Sequence, residues 1–170
     1  MGTASSTNLT GRTSIVIDLK NVKALDLNKV LDELNIDTGI KWTWGTGPKQ
    51  ANCLFHDSDS ADNSSGLVKD IHATDLKSAF GDVITLDALK LLYVKNTHAT
   101  LELHILGGTT PVGILSAVDG PDVIKIAPGG FFLWVDPTEN GLDVTSNSNL
   151  KFLAGSAGTV TFDYALMGLD

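Results

Sequence analysis

Cysteine is almost missing from this 170-residue chain. Cys53 stands alone, so no intramolecular disulfide can staple the fold. In "NCLF" it reads as a small buried hydrophobe, not a reactive thiol. Positive charge is also scarce. One arginine, Arg12, and scattered lysines face 20 acidic residues, and the net charge is −8. That deficit argues against a nucleic acid or an anionic membrane as partner, since either calls for a basic patch. No apolar run reaches the length of a membrane span. The opening "MGTASSTNLTGR" lacks the apolar centre of a signal peptide. Gly2 and Ser6 fit a myristoylation pattern, and Asn8 and Asn63 sit in glycosylation-type triplets. Patterns this short recur by chance and carry no assignment.

The constellations of catalysis are missing as well. The four histidines are His56, His72, His98 and His104, and no two have the close spacing of a metal-binding pair. "LAGSAGT" is not a nucleophile elbow, because Ser156 directly follows Gly155. "GGTTPVG" lacks the lysine and helix of a phosphate loop. Glutamate occurs at Glu33, Glu102 and Glu139 only, and nothing suggests a catalytic carboxylate pair. Asp57, Asp59 and Asp62 have oxygens to offer calcium, but Ala61 and Asp62 occupy the fifth and sixth places where a calcium loop wants a ligand and a glycine. A solvated loop is the expected reading. No enzyme activity and no cofactor or metal are expected.

What is present is a series of short extended runs. Residues 1–12 are small and polar and read as a flexible arm. "TSIVIDL" (13–19) reads as a strand. In "ALDLNKVLDELNID" (24–37), Leu27, Val30, Leu31 and Leu34 recur at helical spacing, with Asp26 placed to cap a short helix. "TDLKSAFGD" (74–82) reads as one helical turn closed by Gly81. After residue 40, alternating runs follow one another between Gly, Pro, Asn and Asp turns. "ATLELHILGG" puts Leu101, Leu103 and Ile105 on one face. "TVTFDYALMGLD" does the same with Val160, Phe162, Tyr164 and Leu166. "DSDSADNSSG" (57–66) reads as a polar loop. The expected fold is mainly β: an antiparallel β-sandwich, jelly-roll-like, with an N-terminal arm and one short helix. Residues 1–39 would form arm, strand and helix, and 40–170 the sandwich.

Two features bear on binding. Trp42 and Trp44 are two apart and share a strand face. They make either a sugar platform or part of a core or subunit interface. "PGGFFLWVDP" (128–137) contains a strand that is apolar on both faces. Phe132 and Trp134 are assigned to the protein's own core. For Phe131, Leu133 and Val135, the choice between core and interface with another molecule stays open. Trp42, Trp44, Phe131, Leu133 and Val135 are the candidate binding residues.

The segments "ANCLFHDSDS", "LKSAFGDVITLDALKLLYVKN", "IAPGGFFLWVDP", "GLDVT" and "GTVTFDYALMGLD" together resemble small bacteriophage virion proteins of the head decoration, or cement, kind. The resemblance covers roughly residues 40–170 and rests on an order of segments. It implies a structural protein on the capsid exterior, made in the host cytoplasm, that bridges capsomers. The implied partners are the major capsid protein and further copies of the chain, as a homotrimer or a dimer. The alternative is a carbohydrate-binding, lectin-like module, or a tail or vertex component of a virion.

Overall fold

A computed structural model describes residues 9–24, 29–78, 81–115 and 123–170. Alternation within each strand explains how the body closes. In β14 (Thr159–Leu169), Val160, Phe162, Tyr164 and Leu166 are buried, while Thr161 is exposed. In β13 (Asn149–Ala154), Leu150, Phe152 and Ala154 are buried in the same rhythm. Phe152 stacks on Phe162 with ring centroids 4.4 Å apart, and this contact joins the two strands across the core.

The long N-terminal strands are β1 (Thr10–Ala24) and β2 (Lys29–Trp44), followed by β3 (Gln50–Ala51). The body begins with β4 (Cys53–Asp62) and β5 (Leu67–Asp70). A small ladder of β6 (Leu76–Lys77) and β7 (Val83–Ile84) precedes β8 (Ala88–Asn96) and β9 (Leu103–Gly107). Then come β10 (Ile124–Ile126), β11 (Phe131–Val135) and β12 (Leu142–Asp143). One body sheet runs β11-β8-β14-β4, with β12 added against β8, and the other runs β10-β9-β13-β5. All these pairings are antiparallel. Successive strands cross repeatedly from one sheet to the other, which is the winding of a jelly roll. The core between the sheets includes Leu92, Val94, Leu103, Ile105, Phe152 and Phe162.

The described residues contain no helix, which corrects the expected fold at two places. The expected helix over 24–37 is strand from Lys29 onward; its start and the Asp26 cap lie at 25–28, outside the described residues. The reason is a competing period. Leu34, Ile36, Thr38, Ile40 and Trp42 alternate along β2, and each faces a residue of β1 directly: Leu19, Ile17, Ile15, Thr13 and Gly11. Fifteen cross-strand pairs, from Thr10↔Thr43 to Ala24↔Lys29, outweigh a four-residue helical match. The expected helical turn over 74–82 is the β6–β7 ladder, with Leu76 and Ile84 both buried opposite each other. Gly81, at φ +89°, occupies a conformation other residues rarely adopt, and residues 79–80 lie outside the described residues.

The flexible arm expected over 1–12 is strand from Thr10 onward, and residues 1–8 lie outside the described residues. β2 runs unbroken through residue 39 to Trp44. The run 57–66 is not one loop, because β4 continues to Asp62. Among the described residues β4 is an edge strand that pairs only with β14, so its polar residues can stay hydrated there.

Candidate protein-binding surface

The β1–β2 hairpin sorts its side chains onto two faces. Directly opposed residues share a face. One face carries Gly11 with Trp42, Thr13 with Ile40, Ile15 with Thr38, Ile17 with Ile36, and Leu19 with Leu34. No charge falls within that stretch. The other face carries Arg12 beside Lys41, Val16 beside Asp37, and Lys20 beside Glu33. Lys20 pairs with Glu33 at 3.1 Å, and Arg12 approaches Asp37 at 4.0 Å.

Among the described residues, the apolar face is covered only at its root. Trp42, 2% exposed, packs with Leu9, Ala51 and Met167, and Ile40, Leu91 and Val135 lean on this cluster. Its Nε1 donates to Thr13 Oγ1 at 2.9 Å, which satisfies the one polar atom of the buried indole. Farther out, Ile15, Ile17, Leu19, Leu34 and Ile36 are all exposed.

The root is bolted to the body by backbone and by one lysine. The Thr43 amide donates to Lys49 O, and the Gly45 amide to Ala51 O. Gly45 has φ +142°, and a Cβ there would collide with the Gln50 side chain. Lys90 is buried, and its Nζ donates to Gly47 O at 3.0 Å. Burial lowers the pKa of that ammonium, while Asp136 and Glu139 act in the opposite direction. The Lys49 amide donates to Pro137 O at 2.9 Å. Asn52 and Asp170 exchange two hydrogen bonds, of 3.2 and 3.0 Å, so the chain's last residue also ties to the root.

From the root, the outer face of the β8–β14 sheet continues the surface. Val135 lies opposite Leu91, Leu133 opposite Tyr93, and Phe131 opposite Lys95. Their cover differs by position. Val135 joins the Trp42 cluster, Leu133 is half-buried, and Phe131 stands 64% exposed. The Phe131 and Tyr93 ring centroids are 6.1 Å apart. Phe132 and Trp134, on the opposite face of β11, pack against the main core. The doubly apolar strand thus has one face toward the core and one face divided between the arm root and open surface.

Of the five candidate residues, Trp42 and Val135 come together in one cluster. Trp44 does not join them and is 47% exposed. Trp42 and Trp44 therefore form no open pair of indoles. The apolar arm face escaped the sequence reading. Its signal, the alternation from Leu34 to Trp42, was present but overlapped the helical spacing that ends at Leu34.

Beside Tyr93 lies a trough of about 410 Å³, lined by His56, Asp57, Ser58, Tyr93, Asp163, Tyr164 and Ala165. Ser58 Oγ donates to Asp163 Oδ1 at 2.7 Å. The Tyr164 side chain points the other way, into the core. Its hydroxyl has no hydrogen-bond partner among the described residues, and burial pushes its pKa up, with Asp59, Asp57 and Asp75 adding to the shift. Asp62 accepts from the amides of Ser64, Ser65 and Gly66. These bonds hold its carboxyl well below the usual range. Among the described residues, no group of three or more His, Cys, Asp or Glu is arranged to hold a metal ion.

No protein-family model, no curated protein and no solved structure matches this chain.

Proposed function

We propose that this chain is a structural virion protein that binds the outer surface of a phage capsid and stabilises it by bridging capsomers. The observation that supports this most is the arm: a paired ribbon of 15 and 16 residues, anchored at its root, with one face that is uncharged from Gly11 to Leu19 and from Leu34 to Trp42 and that the described residues cover only near Trp42. At about 3.4 Å per residue, the 15 paired positions span roughly 50 Å, and the ten beyond the covered root, Ile15 to Ala24, roughly 34 Å. That length is suited to crossing a seam between neighbouring subunits. The jelly-roll body is a rigid base for it, and many copies on one shell would turn modest contacts into durable attachment.

The test is co-sedimentation of the full chain with shells of the encoding virus that lack it. Saturable binding and a raised shell rupture temperature are expected. Shells that sediment without the chain would overturn the proposal.

A second reading, carbohydrate binding, draws on the trough beside Tyr93. An aromatic ring next to a hydroxyl and carboxylates is a common way to hold a sugar. It predicts glycan-array signals that Tyr93→Ala removes.

A further inference from the structure

We propose that the free edge of β11 is a strand-accepting site, filled by an extended, basic segment of another protein. β11 lies at the end of its sheet and, among the described residues, pairs only with β8. The ladder fixes which of its backbone groups are left over. The Asn96 amide donates to Gly130 O, and the Asp136 amide donates to Lys90 O. Antiparallel bonding alternates, so Phe132 and Trp134, in step with Gly130 and Asp136, also bond to β8. Phe131, Leu133 and Val135 then aim their N–H and C=O groups away from the sheet. Among the described residues, none of these outward groups has a hydrogen-bond partner. Cover is missing at the same edge. Phe132 and Trp134 pack on the core yet stay half-buried, whereas Val94 and Leu92, opposite them on β8, are fully buried. Edge position alone does not cause this. On β4, at the other end of the sheet, the core residues Phe55 and Ala61 are buried. Charges along β4, β5, β10 and β12 guard those strands against foreign pairing, and β11 carries neither charge nor proline.

The row of unpaired groups selects the occupant. Donors and acceptors that recur at every second residue are matched by another extended backbone. A helix spends the same groups on itself. Charge then selects a detached segment over a second copy. Residues 45–170 hold seven basic and fifteen acidic side chains, so edge pairing between two copies would bring two acidic bodies together. A basic segment brings the opposite sign, and Asp136 stands directly past the Val135 end of the edge. On its core-side face the segment needs apolar residues at alternate positions, to finish the cover of Phe132 and Trp134. This site is separate from the arm and does not rest on the capsid proposal.

The test uses the full chain and a synthetic peptide, ALKLLYVKN, as probe. The peptide copies β8 (Ala88–Asn96), carries two lysines and no acid, and has the alternation that already opposes β11. In β8 the amides of Leu91, Tyr93 and Lys95 point away from β11, toward β14. In the same register on the far edge of β11, that direction points at β11. Saturable binding is expected, with amide hydrogen exchange at Phe131, Leu133 and Val135 slowed at least about tenfold at saturation. Peptide N-methylated at the position of Tyr93 should bind at least about tenfold more weakly, and peptide N-methylated at the position of Leu92 should bind as before. In the protein, Leu133→Pro removes the central outward amide and no ladder bond, so the chain should stay folded and lose the peptide. Should that variant fail to fold, the two methylated peptides still decide. No saturable binding at roughly 1 mM peptide, where even weak contacts register, would overturn the proposal, and so would equal binding of both methylated peptides. Protection of the three outward amides before peptide is added would overturn it too, because the edge would then be filled by this chain or its copy.

Discussion

Trp42→Ala is the substitution that separates the arm from the body. The indole is 2% exposed and fills the small cluster with Leu9, Ala51 and Met167, apart from the main core. Truncating a buried Trp to Ala costs about 3–5 kcal/mol, and the lost bond to Thr13 Oγ1 adds about 1 kcal/mol at most. Were that loss shared by the whole fold, the melting temperature would drop by roughly 6–24 °C, at about 2–4 °C per kcal/mol for a chain of this size. The separate cluster argues for a local effect instead. The arm root should open while the two-sheet core stays closed. Hydrogen exchange at Thr43, Gly45, Gln50 and Asn52, whose amides hold the root, should then accelerate by on the order of 100-fold or more. The main melting transition should move by less than about 4 °C. Unchanged exchange at those four amides, or a melting drop of the full size, would refute the idea that the arm is docked as a unit of its own.

Other consequences follow from single groups. Burial, with Asp170 adding to it, pushes the Cys53 thiol up to about 12. At pH near 8 the native thiolate fraction is on the order of 0.0001, so iodoacetamide should label the protein only after denaturation, and rapid native labelling would contradict the burial. Asp62 has a folded pKa depressed by its turn hydrogen bonds. Its contribution is present above the unfolded value, about 3.9, and is lost as pH falls below it toward the folded value. Asp62→Asn should therefore lose less melting temperature than wild type on acidification from about pH 6 to about pH 2.5, and equal losses would remove Asp62 from the acid response.

The body strands were legible because burial on one face leaves period-two alternation in the sequence, as in Val160, Phe162, Tyr164 and Leu166. In the arm, the strand expected over 13–19 lies within β1, but β2 was not legible, for a physical reason. A two-stranded ribbon is decided by its partner strand, and local spacing does not contain the partner. Leu27, Val30, Leu31 and Leu34 satisfy a helix locally, yet Val30, Leu31 and Leu34 lie opposite Lys23, Val22 and Leu19 in a fifteen-pair ladder with β1. The acidic run at 57–62 was obscured differently. A strand edge needs no apolar face toward water, so Asp57 to Asp62 read as loop although they pair with Thr159 to Tyr164. The candidate surface was half legible. The two-faced apolar strand at 131–135 announced contacts on both sides, but only the fold shows that Trp42 takes the Val135 end and leaves Phe131 open.

The measurement that bears most directly on the proposed function is the copy number of this chain on purified virus particles from the source that encodes it. Quantitative mass spectrometry against the major capsid protein gives that number. A capsid-bridging protein should be present at a ratio comparable with the shell protein, on the accessible exterior. Its absence from the particles, or a handful of copies per particle, would contradict a bridging role across the shell.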